Sequence, residues 1–135
     1  MQRWLLKTEP TAYSFAQLQR DKRAVWDGVK NPQALKNLAQ VQKGDRIFIY
    51  HTGDEKAVVG IATALSGAYA DPTKSDPKLL VIDIAPVVPL QRPVTLAEIK
   101  AGPKFAGWAL VRLPRLSVIP VSTEQWAEVE RRSGA

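Results

Sequence analysis

The chain contains no cysteine, one histidine and one methionine. Without thiols there is no cysteine nucleophile, no thiolate-bound zinc and no disulfide framework, and a reducing compartment fits. A lone histidine, His51, excludes a paired-histidine metal site. No Gly-Lys-Ser or Gly-Lys-Thr occurs, so no Walker loop cradles a phosphate, and G-x-G-x-x-G and G-x-S-x-G are absent as well. The thirteen carboxylates are scattered, and the two close pairs, Asp54-Glu55 and Glu128/Glu130, read as solvated turn and helix charges. No apolar run approaches the ~18 residues of a membrane span. The stretch Met1-Gln2-Arg3-Trp4-Leu5-Leu6-Lys7 turns polar too soon to form a signal-peptide core. Catalysis, a metal, a cofactor and a membrane partner are therefore not expected, and a cytoplasmic location is.

What is present is an ordinary globular mixture, 45% hydrophobic and 24% charged over 135 residues, which predicts a single domain over 1–135. Nineteen Lys and Arg against thirteen Asp and Glu leave a net charge of +6. A basic domain of this size attracts polyanions, nucleic acid among them.

Hydrophobic patterning predicts more strands than helices. Apolar or β-branched runs mark strands at Arg3 to Lys7, Arg46 to His51, Ala57 to Ala62, Leu79 to Ala85, Ala109 to Arg112 and Leu116 to Val121. Ser14 with Gln17, and Thr95 with Glu98, are capping boxes that open short helices, the first to about Arg20 and the second closing near Gly102. Asn31-Pro32 starts another, with Ala34, Leu35, Leu38 and Val41 on its apolar face. Ser122 to Arg132 predicts a final helix with Trp126 and Val129 inward, and Ser66 to Pro77 reads as a polar loop. Strands and helices do not alternate regularly, so the expected fold is α+β, mainly β: a mostly antiparallel barrel with short helices at its ends.

Several residues stand out chemically. Trp26, beside Asp27 and Gly28, is either a stacking surface for a base or a half-buried packing residue. His51, at a strand end, either donates into a pocket or bonds a nearby backbone group. Tyr50 precedes it and faces the other side of the sheet. Asp83, mid-strand, is either a pocket-wall acceptor or an outward-facing edge residue.

Read in order, Trp4-Leu5-Leu6-Lys7-Thr8-Glu9-Pro10 with Tyr13-Ser14, Trp26-Asp27-Gly28-Val29-Lys30-Asn31, Gly44-Asp45 and Ile49-Tyr50-His51 form the first blocks of a pattern. It continues through Val59-Gly60-Ile61-Ala62, Ala68-Tyr69-Ala70-Asp71-Pro72-Thr73, Leu110-Val111-Arg112 and Arg115-Leu116-Ser117-Val118. The chain thereby resembles the EVE domain family of the PUA-like superfamily. The resemblance implies a PUA-like β-barrel with a pocket for a flipped, modified base, modified cytosine in DNA above all. YTH domains, which read a methylated adenine in RNA, are similar, with a Lys-Ser pair ending the first strand and a tryptophan after it. Lys7-Thr8 and Trp26 stand at the comparable places.

On this resemblance the base pocket would draw on Lys7, Thr8, Ser14, Trp26, Asp27, Gly28, Val29, Asn31, Tyr50 and His51. Lys7, Lys30, Arg112 and Arg115 would meet phosphates. The chain departs from the pattern at Leu35, where many members have arginine, at Leu113-Pro114, where many have glutamine, and at Ala70, where many have proline. Leu35 thereby removes a possible phosphate contact, and Leu113 a polar one near the C-terminal strands. Two competing readings are an RNA-binding PUA-like adaptor indifferent to modification and a nucleoside-processing domain.

Overall fold

The computed structural model describes residues 1–134. Its seven strands are β1 (Arg3–Thr8), β2 (Ala24–Trp26), β3 (Arg46–His51), β4 (Ala57–Ala64), β5 (Tyr69–Ala70), β6 (Leu80–Thr95) and β7 (Val118–Val121). Its helices are α1 (Phe15–Asp21), α2 (Pro32–Leu38), α3 (Leu96–Ala101), α4 (Ala109–Arg112) and α5 (Thr123–Arg132). The sheet runs β2-β6-β4-β3-β1-β7, with β5 added onto β6. Only β1 and β3 pair in parallel among the described strands; the other pairings are antiparallel. The result is a curled half-barrel carrying short helices, as the pattern of strands and caps predicts.

Helix starts follow their caps. Ser14 Oγ accepts from the Gln17 amide, Asn31 Oδ1 from Ala34, Thr95 Oγ1 from Glu98 and Ser122 Oγ from Gln125. Each bond satisfies an amide that the helix itself leaves open.

Two expectations are corrected. Ala109–Arg112 is helical, not a strand, with the Arg112 amide bonded to the Trp108 carbonyl and that of Leu113 to Ala109. A four-residue apolar run carries too few residues to separate the two periods, and burial of Trp108 and Leu110 in the core selects the turn. The strand from Leu79 does not stop at Ala85. β6 continues through Pro86, Pro89 and Pro93 to Thr95. Its pairing with β4 shifts register between Val58 and Gly60 and between Ile61 and Ala62, and such irregularities let a strand accept residues that lack an amide donor.

The core is built from Trp4, Leu5 and Leu6 of β1, Ile47, Phe48 and Ile49 of β3, and Trp126 and Val129 of α5. The Phe48 and Trp126 rings stack at 3.6 Å and 12°. Gly60 lets α1 lie against β4, since a Cβ there would stand 2.5 Å from the Phe15 ring.

α5 is held by its own chemistry. The Glu128 carboxylate, almost inaccessible to solvent, pairs with Arg131 at 2.5 Å, Arg132 at 2.8 Å and Lys104 at 3.7 Å. The Arg131 hydrogen bond chiefly, with Arg132 and Lys104, overcomes the opposing effect of burial and holds the Glu128 pKa down to about 2. A carboxyl depressed in the folded state stabilises fully above its unfolded pKa, ordinarily 4.5, and that contribution is lost as pH falls toward about 2. Urea unfolding is therefore expected to show stability falling between those values, with a shallower fall in Glu128→Gln. An equal fall in both proteins would refute the assignment.

Candidate nucleic-acid interface

β1 ends beside the start of β2's exit loop. The Lys7 amide donates to the Ser117 carbonyl at 3.0 Å, and the Thr8 hydroxyl to the Tyr13 carbonyl at 2.7 Å. β2 is held by β6, with Trp26 opposite Ile82. The chain then turns through Gly28, whose φ of +79° favours glycine. No atom would crowd a Cβ there, so the demand is conformational.

These elements enclose an open cleft of about 500 Å³, within the ~300–1,000 Å³ usual for ligand sites. Lys7, Thr8, Glu9, Ala12, Tyr13, Ala24 to Val29 and Ser117 line it. The Trp26 indole forms part of the wall and is 8% exposed. The Tyr13 ring meets it edge-on, centroids 6.3 Å apart and planes at 79°. The indole N–H of Trp26 bonds to no described residue, yet no sealed-off side-chain nitrogen or oxygen lacks a partner among them. That N–H therefore keeps some exposure to solvent.

Tyr13 donates its hydroxyl to Asp21 at 2.8 Å. Burial first, and then Asp21, push the Tyr13 pKa up to about 12, so the phenol stays neutral. Lys7 donates to the Pro114 carbonyl at 2.9 Å, and its ammonium lies 5.7 Å from the centre of the Tyr50 ring. Burial lowers the Lys7 pKa and raises that of Tyr50.

Six of the residues named from sequence, Lys7, Thr8, Trp26, Asp27, Gly28 and Val29, come together in this cleft. The others lie elsewhere. Ser14 and Asn31 use their side chains as helix caps. Asn31 also borders a shallow depression with Leu113 to Leu116, Arg115 included. Tyr50 lines a separate hollow on the other side of Lys7. His51 is buried, and both of its ring nitrogens are committed. The Phe15 amide donates to Nε2 at 3.0 Å, which leaves the proton on Nδ1 for Glu55 at 2.7 Å. His51 thus ties α1 to β3. Lys30 is exposed on the loop before α2, and Arg112 ends α4.

Asp83 of β6 accepts from Tyr69 of β5 at 2.6 Å and from Arg23, the residue before β2, at 2.9 Å, and so ties both to β6. Leu35 is half-buried and packs against the core. Glu9, Ala12, Tyr13, Ala24, Val25 and Ser117 were not singled out from sequence as site residues. Only Tyr13 carried a signal, an aromatic ring immediately before a helix cap.

The EVE domain profile matches residues 2–132. The chain belongs to the EVE domain family. A Rhodopseudomonas palustris protein solved by NMR is 40% identical, with a TM-score of 0.94 over 99% of this chain and 94% of that one. The human THYN1 protein, solved in complex with DNA containing 5-methylcytosine, is 26% identical with a TM-score of 0.91 over 100% and 99% of the two chains. Chicken thymocyte nuclear protein 1 is 29% identical over 157 aligned residues, covering 91% of this chain. The chain spans 65% of that relative's length. The half-barrel is thus an EVE, PUA-like fold. No helix among the described residues is long and apolar enough to cross a membrane.

Proposed function

We propose that this EVE domain is a non-enzymatic module that takes a flipped, modified base, 5-methylcytosine in DNA foremost, into the Trp26 cleft. The observation that carries the reading is the cleft itself. An aromatic residue, Trp26, a glycine of left-handed φ, Gly28, and a lysine, Lys7, line one ligand-sized opening. The human THYN1 complex with 5-methylcytosine-containing DNA supports the choice of ligand. Each element answers a need of the bound nucleotide. The aromatic wall replaces stacking lost on extrusion, worth ~1–3 kcal/mol per base. Backbone groups of Asp27 to Val29, the Thr8 hydroxyl and the indole N–H meet the base edge. Lys7 meets a phosphate.

The methyl group itself contributes only ~0.8 kcal/mol of burial, about fourfold in affinity. Oligonucleotides with 5-methylcytosine are therefore expected to bind about fourfold tighter than unmodified ones. Affinity should fall with salt, at a slope near −0.9 for each phosphate neutralised on a duplex. Fluorescence anisotropy across a salt series measures both quantities. No binding would overturn the reading, as would equal binding of modified and unmodified DNA; preference for RNA in competition would favour the adaptor reading.

A further inference from the structure

The Trp26 cleft has a neighbour. A hollow of about 270 Å³ shares Lys7 with it and has Lys56, Lys100, Tyr50 and Pro114 among its walls. Lys7 lines both openings. We propose that this hollow is a phosphate subsite for the backbone of the strand whose base enters the cleft. The inference rests on the base-binding reading and adds to it the path of the strand.

Three separate elements deliver the cations. Lys7 comes from β1, Lys56 from the turn between β3 and β4, and Lys100 from the last turn of α3. None of the three pairs with a carboxylate among the described residues. The cations around α5 differ, because Arg92, Lys104, Arg131 and Arg132 are matched by Glu98 and Glu128. The hollow is left with positive charge that an external anion can neutralise. No carboxylate lines the hollow among the described residues; Glu9 accepts from Thr52 at 3.1 Å beside Gly53, and Asp54 and Glu55 belong to the same turn as Lys56.

The φ of Lys56 is +47°, a left-handed position that glycine or asparagine occupies at lower cost. The Leu96 amide bonds to its carbonyl at 2.7 Å and fixes the turn. The Lys7 shared with the cleft favours a nucleic-acid backbone over a free anion, since base and phosphate alternate along one strand.

The test compares the double variant Lys56→Asn, Lys100→Gln with Lys74→Gln, Lys78→Gln, which removes the same charge from exposed loop positions. Asparagine suits the left-handed turn, so the first variant is expected to melt no lower than wild type. Single-stranded oligonucleotides with and without 5-methylcytosine are titrated over a salt series. The Lys56/Lys100 variant should bind both on the order of tenfold more weakly at low salt, with a salt slope shallower by about 1.4. The ratio between the two oligonucleotides should stay at the wild-type value. The control variant should show a smaller change in both quantities.

Equal loss in the control would overturn the subsite. So would an unchanged slope in the Lys56/Lys100 variant, while a retained methylation ratio would leave the cleft reading standing. Displacement of the oligonucleotide by inorganic phosphate beyond matched chloride would reassign the hollow to a free anion. Absence of any wild-type binding would remove the cleft reading and the subsite together.

Discussion

Replacing Trp26 by alanine is expected to erase the preference for methylated over unmethylated oligonucleotides and to lower the melting temperature as well. Both effects follow from one position. The ring is 8% exposed and packs against Tyr13, so its removal leaves a cavity, and truncating a buried aromatic costs ~3–5 kcal/mol. The same ring walls the cleft, and loss of base stacking there weakens binding by ~1–3 kcal/mol, about 5- to 150-fold. Trp26→Phe separates the two. It keeps an apolar ring but deletes the indole N–H, which bonds to no described residue. It should therefore retain more stability than alanine while losing part of the affinity. Calorimetry fixes a temperature at which all variants are folded, and anisotropy at that temperature reads binding. A folded Trp26→Ala protein that still prefers the methylated strand would refute the cleft as the base site.

The capping residues made the helix starts legible, because a cap is a contact within three or four residues of chain. The Trp26-Asp27-Gly28-Val29 block was legible for a related reason. The end of β2, an acid and a left-handed glycine follow one another in the chain, and that short segment forms part of the cleft wall. What sequence left open was decided by distance in the chain. His51 had two readings until the Phe15 amide, 36 residues away, claimed one of its nitrogens. Trp26 had two as well, and the ring both packs and borders the cleft. Lys56 and Lys100 carry no motif of their own; the hairpin and α3 bring them to Lys7. β6 was read too short because three prolines ordinarily end a strand, and its irregular pairing with β4 is a property of two strands at once.

Asp45 carries the other large expected effect. It looks like a turn residue after Gly44, yet it is 3% exposed. Its Oδ1 accepts from the Gln2 amide at 3.1 Å, and its Oδ2 from the Trp4 indole N–H and the Gln42 amide, each at 3.0 Å. Asp45 thus staples the start of β1 to the start of β3, the parallel pair whose far end delivers Lys7 and Thr8 to the cleft. Hydrogen bonds to a charged acceptor contribute ~1.5–3 kcal/mol each, and a buried donor left without a partner costs ~1–3 kcal/mol. Asp45→Ala strands the Trp4 N–H inside the core, so a loss of about 3 kcal/mol or more is expected. Asp45→Asn is nearly isosteric but sets an amide NH₂ against N–H donors, so it should lose nearly as much. Urea unfolding followed by tryptophan fluorescence measures both variants. A loss below about 1 kcal/mol would mean that the three donors find water or new acceptors, and that pairing between β1 and β3 holds without the carboxylate.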